Sequence, residues 1–248
     1  MSMHQMLIAG YANPLVLCDS ADFDGVNDYM LRGGGLTGAA DSKSGILSAW
    51  IRLDGLGPNI INATGNNFIF VLRAGDQKFG IGAENAAGTE ILLLITNTVY
   101  GAAATWLHVL ASWDLATASA HLYVNDVDDL AAGSTLTDDS IDYTLANWAI
   151  GATVAGTGLV DSALAELYFA PGQYLDFSLV SNRRKFISAS GKPVSLGATG
   201  SLPTGTAPII YQRVADGAAV ATFATNLGTG GDFSITGTLT TGSTSPSD

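Results

Sequence analysis

Cysteine is almost absent from this chain of 248 residues, and this excludes an internal disulfide bond. The single cysteine, Cys18, follows the apolar residues Leu15, Val16 and Leu17. We therefore predict that Cys18 is buried as a small hydrophobic side chain and is not a reactive thiol. A chain without disulfides is suited to folding in a reducing compartment.

Positive charge is also scarce. The chain has 10 Lys and Arg residues against 22 Asp and Glu residues, which gives a net charge of −12. Nucleic-acid binding is excluded as an expected function, because phosphate recognition needs clustered cations. One short basic cluster, Arg183-Arg184-Lys185, is interpreted as the C-terminal end of a helix.

Long hydrophobic runs are missing as well. No apolar stretch approaches the roughly 20 residues that a bilayer-spanning helix needs. Residues 1–10 have neither the basic start nor the long apolar segment of a secretory signal peptide. We therefore expect a protein that is synthesised in a host cytoplasm without a signal peptide and that does not insert into membranes.

Helical periodicity is rare, and alternation with a period of two replaces it. In residues 46–53, Leu47, Ala49 and Ile51 share one face, as expected for a strand. Further strand-like segments are 67–73, 78–82, 91–96, 106–113, 119–125, 147–152 and 163–170. The pattern predicts an all-β sandwich of two antiparallel sheets. One short helix is predicted over residues 177–187, with Asp176 as its N-cap.

Three short phrases carry a resemblance to a known family. They are FDGVNDYM (residues 23–30), WLHVLASWD (106–114) and HLYVND (121–126). These phrases resemble the opening strand and the central hairpin of the laminin-G-like, or concanavalin A-like lectin/glucanase, superfamily. The resemblance covers about residues 20–170 and implies a concanavalin A-like jelly-roll sandwich.

The rest of the chain flanks this segment. We expect residues 1–19 to form an N-terminal segment that acts as a docking arm, and residues 20–170 to form the sandwich. Residues 171–248 hold the predicted helix and then become rich in Gly, Thr and Ser. Such a composition buries too little apolar surface to fold alone, so this C-terminal extension is expected to pack on the sandwich or on a partner.

A calcium ion is one expectation from the resemblance. Relatives in this superfamily hold Ca²⁺ through Asp and Asn side chains at the rim of a sheet. The positions in this chain that match such a site are Asp24, Asn27 and Asp28 in the first turn and Asp161 in the last strand. The alternative interpretation is that these side chains only shape turns by bonding their own backbone.

Sugar binding is a second expectation, because lectins stack sugars on exposed aromatic rings beside carboxylates that bind hydroxyl groups. The candidate ligand-binding residues are Tyr29, Tyr100, Tyr143, Asp126 and Asp128. The alternative is that each tyrosine belongs to the core or to its rim.

Catalysis is not expected. Glucanases of this superfamily place alternating carboxylates on one strand, so that two of them meet one sugar. The three glutamates of this chain, Glu84, Glu90 and Glu166, have no acidic residue two positions away. His108 and His121, on the strands of the central hairpin, are interpreted as a structural cross-strand pair. The chain is therefore predicted to be no enzyme, and a glycoside hydrolase is the least favoured alternative.

The function that these features favour is structural. A disulfide-free, acidic, lectin-like module with a Gly- and Thr-rich extension is similar to surface proteins of tailed bacteriophages and prophages, and residues 226–237 resemble a closing segment of such proteins. This predicts a non-enzymatic protein at the virion surface, as capsid decoration, fibre or adhesion module. The expected partners are other virion proteins, further copies of the chain in a homo-oligomer, and a host surface glycan. The alternative is a soluble carbohydrate-binding module, either with or without dependence on Ca²⁺.

Overall fold

The structure is a computed structural model and describes residues 14–55 and 57–248. These residues form strands and one short helix, α1 (Val180–Arg183). The strands are β1 (Cys18–Asp19), β2 (Ala21–Asp24), β3 (Tyr29–Gly33), β4 (Ser44–Leu53), β5 (Asn59–Ala63), β6 (Phe68–Leu72), β7 (Phe79–Glu84), β8 (Glu90–Ile95), β9 (Trp106–Asp114), β10 (Ser119–Val124), β11 (Val127–Asp128), β12 (Thr135–Leu136), β13 (Asn147–Ile150), β14 (Asp161–Pro171), β15 (Ile210–Gln212), β16 (Val214–Ala215), β17 (Ser234–Thr236) and β18 (Thr240–Thr241). Most of the predicted docking arm, residues 1–13, lies outside the described residues.

The strands form two large antiparallel sheets and one small one. The back sheet has the order β11–β10–β9–β4–β14–β2–β18, and β15 also pairs with β14. The front sheet has the order β12–β8–β7–β6–β5–β13–β3–β17. Strands β1 and β16 pair separately. The predicted all-β sandwich with one short helix is confirmed.

The main core lies between the inner faces of the two sheets. Alternation along each strand directs every second side chain inward, as Phe68, Phe70 and Leu72 show on β6. Phe68 stands at the centre of an aromatic cluster, and its ring centroid lies 4.5 Å from that of Phe169 and 5.7 Å from that of Trp148. This cluster holds the two sheets together.

A third layer covers the outer face of the back sheet. Ile46, Leu110 and Tyr168 point away from the main core, and they are buried by side chains of the C-terminal extension. Phe177 and Phe186 are the large aromatic residues that the extension adds to this second core. The ring of Phe186 packs edge to face on that of Tyr168, with 5.3 Å between the ring centroids. The extension thus seals one side of the sandwich.

The predicted helix is shorter than its sequence pattern indicates. The sequence pattern predicts a helix over residues 177–187, whereas α1 has four residues and begins after Leu179. Asp176 is not its N-cap, because the carboxylate instead accepts hydrogen bonds from the Ser178 amide (2.8 Å) and hydroxyl (2.5 Å). This local turn competes with helix formation, as Asp side chains commonly do.

Short strands close the edges of both large sheets. The back sheet ends in β11 and β18 and the front sheet in β12 and β17, each of two or three residues. Strands β17 and β18 belong to the C-terminal extension. Because such short edges offer few free backbone groups, edge-to-edge pairing with another chain is disfavoured.

The end of the extension bonds to β1, just before the sandwich begins. The hydroxyls of Ser245 and Ser247 both donate to the Cys18 carbonyl, and the Cys18 amide donates to the Ser247 hydroxyl at 3.3 Å. The predicted burial of Cys18 is confirmed, since 1% of the residue is exposed. Burial raises the pKa of its thiol to about 12, which keeps the sulfur protonated and unreactive.

Among the described residues, no helix has the length and apolar character needed to span a membrane.

Candidate functional site

The predicted calcium ligand Asp24 shapes its own turn. Its Oδ1 accepts the amide of Val26 at 2.8 Å and that of Asn27 at 3.1 Å. These two bonds lower the pKa of Asp24, because they favour the charged carboxylate. The side chain therefore behaves as the turn-forming alternative describes.

Asp28 bonds the C-terminal extension, and Asn27 lies close against it. Asp28 is 3% exposed, and its Oδ1 accepts the amide of Thr238 at 2.6 Å. The neighbouring Gly237 has φ +81°, and a Cβ there would collide with the side-chain oxygens of both Asp28 and Asn27. These two predicted calcium ligands thus serve as a clasp for residues 237–238.

Asp161 lies in a group of carboxylates at one end of the back sheet. It pairs with Asp24 across strands β14 and β2. Burial, with Asp54 and Asp24 nearby, raises the pKa of Asp161. Arg52 offsets part of this negative charge through its ion pairs with Asp54 (2.7 Å) and Asp22 (3.6 Å).

The four predicted calcium ligands do not converge. Asp24 and Asp161 are brought together, whereas Asp28 is occupied by Thr238. Within residues 14–55 and 57–248, no group of three or more His, Cys, Asp or Glu side chains is arranged to hold a metal ion. Calcium binding stays a prediction.

The clasp makes a testable contribution to stability. Replacing Gly237 by alanine is expected to lower the free energy of unfolding by more than about 1 kcal/mol, because the variant adds a collision to an unfavourable positive φ. Gly217→Ala is the matched control, since Gly217 has φ +70° but open space around its Cα. Urea denaturation of both variants compares the two. Equal losses would show that Asp28 and Asn27 do not clasp the extension.

The predicted ligand-binding tyrosines do not form one surface. Tyr143 was expected to be exposed, and this is wrong, because its ring is fully buried beside Phe68 and its hydroxyl accepts the Trp113 Nε1 proton at 3.2 Å. Tyr100 is half-buried and donates to Asp129 Oδ2 at 2.6 Å. Tyr29 is half-buried on β3 near the other edge of the front sheet.

The two predicted carboxylates have different roles. Asp126 binds Arg183 Nε at 2.5 Å and Arg184 Nη2 at 2.7 Å, which ties α1 to the hairpin of β10 and β11. Burial alone would raise the pKa of Asp126, but the bonds from Arg184 and Arg183 outweigh it and the pKa is lowered. Asp128 is exposed and bonds the amide of Leu130 at 3.3 Å. Asp126 is thus structural, and Asp128 is available to solvent.

The two hairpin histidines do not pair with each other, so that interpretation is wrong. Ser112 stands opposite His121. His108 is fully buried, its Nε2 lies 2.9 Å from the Ser48 hydroxyl, and burial lowers its pKa to about 3. His121 Nε2 instead lies 3.2 Å from Asp176 Oδ1.

Glu166 lies in a buried polar cluster beneath the extension. It is 2% exposed, and its Oε2 accepts the hydroxyl of Tyr211 at 2.7 Å. Its Oε1 lies 2.9 Å from Nε of Arg213. Burial raises the pKa of Glu166, and Arg213 and Tyr211 oppose that effect. The residue sits at a bulge of β14 with φ +48°, a conformation that non-glycine residues rarely adopt.

The sequence of the sandwich matches a described family. Residues 25–171, more than half of the chain, match the Laminin_G_3 family of the concanavalin A-like lectin/glucanases superfamily. The chain belongs to this family. The predicted concanavalin A-like jelly roll is therefore confirmed. No curated protein sequence matches the chain.

Several solved structures are similar to this lectin-like sandwich. A putative carbohydrate binding protein from Bacteroides ovatus is similar with a TM-score of 0.57 at 13% identity, over 92% of this chain and 60% of that chain. A heptameric SAP-like pentraxin from Limulus polyphemus has a TM-score of 0.49 at 14% identity, over 67% of this chain and 82% of that chain. Domains LG4-5 of the mouse laminin alpha1 chain have a TM-score of 0.43 at 14% identity, over 67% of this chain and 45% of that chain. At 13% identity the likeness to the protein from Bacteroides ovatus shows the fold alone.

One carboxylate pair of the lectin-like sandwich was missed in the sequence. Glu84 and Glu90 stand opposite each other on β7 and β8, because a bulge after Ala83 shifts the register. They are six positions apart in the sequence and lie on different strands, so a search along one strand does not find them. They lie beside the β7–β8 hairpin turn and border none of the cavities described next.

The outer face of the front sheet is open, in contrast to that of the back sheet. Ile69 and Val71 on β6 and Leu93 and Ile95 on β8 are half-buried there. A cavity of about 220 Å³ lies at this face beside Ile95. A further cavity of about 370 Å³ lies between residues 38–42 and 171–173 and a loop of the extension, and one of about 330 Å³ lies within the extension beside Arg213. The open face is the candidate binding surface.

Proposed function

We propose that this protein is a non-enzymatic surface protein of a bacteriophage virion, where it presents the lectin-like sandwich as a capsid decoration, fibre or adhesion module. The observation that carries the proposal is the difference between the two outer faces. The chain's own extension seals the back sheet, whereas the front sheet keeps half-buried aliphatic side chains at its surface. A module with one sealed and one open face is suited to display on a larger particle.

The non-enzymatic part of the proposal is supported by the glutamates. Glu166 is buried and held by Tyr211 and Arg213, so it is closed to a substrate. Glu84 and Glu90 face each other at a hairpin end and line none of the three cavities described above. A glycosidase needs two carboxyl groups on opposite sides of a bound sugar, and this arrangement does not supply them.

A host surface glycan is the partner that we propose for the open face, and other virion proteins and further copies of the chain are the partners proposed for assembly. A soluble carbohydrate-binding module is the second candidate function. Its support is the same open face, together with the fold shared with the putative carbohydrate binding protein from Bacteroides ovatus.

Purified particles provide the test. We expect the protein at a fixed number of copies per particle by quantitative mass spectrometry, with immunogold label at the particle surface. A glycan array probed with the purified protein, with and without EDTA, separates the candidates. Glycan binding without particle association would favour the soluble module, and loss with EDTA would support calcium. Release of reducing sugar from a bound glycan would contradict a non-enzymatic role.

A further inference from the structure

The hairpin between β6 and β7 places two cations side by side at the open face. The Arg73 amide donates to the Lys78 carbonyl at 2.9 Å, so the two residues are direct cross-strand partners. Phe79 is buried in the main core and Lys78 precedes it, so alternation directs the Lys78 side chain to the outer face of the front sheet. Arg73 follows the buried Leu72 and points the same way.

This pairing is unfavourable for the fold alone. Like charges directly opposite each other on a sheet are destabilising. Asp76 in the turn relieves part of the repulsion, since its Oδ2 lies 3.0 Å from Arg73 Nη1. For Lys78, no carboxylate of the described residues comes within ion-pair distance of the ammonium group. A like-charge pair that is only partly compensated within the fold points to a binding role.

The two cations border a cavity that is open to solvent. Its volume is about 220 Å³, and its lining combines Arg73, Lys78 and Asp76 with Ile95 and the loop of residues 131–134. Ile95 stands opposite Gly80 on the neighbouring strand, which supplies an apolar floor. The loop forms the opposite wall, and the Ala131 amide anchors it by donating to the Ile95 carbonyl at 2.8 Å.

This combination of groups fits one kind of ligand. The cations supply charge-assisted hydrogen bonds to an anion, and the apolar floor provides contact area for a ring. The volume is small for a drug-sized ligand and is suited to one sugar residue. The net charge of −12 does not prevent binding, because salt screens charges beyond roughly 8 Å at physiological ionic strength.

We propose that this cavity binds an acidic sugar residue of a surface polysaccharide, whose carboxylate or sulfate is held between Arg73 and Lys78. The inference rests on the proposed glycan partner and names the class of glycan and its site. Asp76 occupies part of the Arg73 guanidinium in the free protein, so the ligand anion competes with Asp76 for it.

Calorimetric titration of the full chain tests the site. The probes are an oligogalacturonate, its fully methyl-esterified form, a sulfated oligosaccharide, a neutral oligosaccharide and inorganic phosphate. We expect binding of the oligogalacturonate, of the sulfated oligosaccharide or of both, and no binding of the ester or the neutral sugar. Affinity should fall at least 10-fold in Lys78→Ala and in Arg73→Ala. It should rise several-fold in Asp76→Asn, which keeps an acceptor for the turn but removes the competing charge.

Matched controls remove charge elsewhere. Lys43→Ala and Asp138→Asn each break an exposed ion pair distant from the hairpin in sequence, and neither should change the affinity by more than about twofold. Unfolding curves verify that all variants remain folded. The site would be overturned, although the glycan partner would stand, if the oligogalacturonate and its methyl ester bound equally well. The same holds if Lys78→Ala bound the saccharide as tightly as Lys43→Ala does. Binding of phosphate without any saccharide would also overturn it. If none of the saccharides binds, the proposed glycan partner is contradicted as well as the site.

Discussion

Replacing Phe68 by alanine is expected to lower the free energy of unfolding by about 3–5 kcal/mol. Phe68 is fully buried, and its ring lies 4.5 to 6.3 Å, centroid to centroid, from four aromatic rings. The truncation leaves a cavity between the two sheets, where the surrounding strands are too constrained to collapse. Chemical denaturation followed by tryptophan fluorescence measures the change, since Trp113 and Trp148 belong to the cluster.

Ile69→Ala is the matched control for this variant. Ile69 is the next residue on the same strand, but it points to the open face and is half-buried. Its truncation should cost much less, because solvent can fill the space that it leaves. A loss as large as that of Phe68→Ala would mean that the open face is covered in solution, and would contradict the distinction between the two faces.

Replacing Arg213 by alanine is the second change with a large expected effect, about 3–5 kcal/mol of destabilisation near neutral pH. Glu166 is then left as a buried carboxylate without its charge partner, since 3% of its side chain is exposed and 17% of that of Arg213. Tyr211 supplies one remaining hydrogen bond, which cannot replace the ion pair.

The pH dependence of this variant follows from the direction of the pKa shift. Burial raises the folded-state pKa of Glu166 above its ordinary value of 4.5, and removal of Arg213 raises that pKa further. When the pKa of a carboxyl group is raised in the folded state, the contribution of that group to stability is fully present below its pKa in the unfolded chain. The contribution is lost as the pH rises through its pKa in the folded state. The deficit of Arg213→Ala relative to the original chain should therefore shrink as the pH falls from neutral towards 4.5.

A double variant separates the charge from the packing. Arg213→Ala combined with Glu166→Gln should recover most of the lost stability at neutral pH and show little of the pH dependence, because the buried charge is gone. Urea midpoints at several pH values measure this. The double variant could instead be as unstable as Arg213→Ala, with a stability deficit that does not change with pH in either variant. That result would show that lost packing around Arg213 causes the deficit and would reject the buried charge as its cause.

Much of the sandwich could be predicted from the sequence because its strands alternate locally. The segments 46–53, 106–113 and 163–170 carry their inward and outward faces in their own residue order, and the structure places β4, β9 and β14 on them. The short helix was overestimated because the Asp176–Ser178 turn uses the capping group before the helix begins. The local residue pattern therefore predicted whether a segment is a strand or a helix better than it predicted how long the helix is.

The site residues were harder to predict because their partners are remote in the sequence. Asp28 bonds Thr238, which follows it by 210 residues, and Tyr143 bonds Trp113 across the core. No local pattern marks either contact. The pair of Arg73 and Lys78 has a local signal, since the two residues flank a tight turn at cross-strand spacing, but it is recognised only when the strand register is known.

The bonds between Cys18 and Ser247 have a mechanical consequence. A pull applied between these two residues acts first on the bonds that join them directly, together with the bond from the Ser245 hydroxyl to the Cys18 carbonyl. Breaking these bonds would free the last residues of the extension, while the long pairing of β4 with β14 lies elsewhere in the sheet and carries no part of that link.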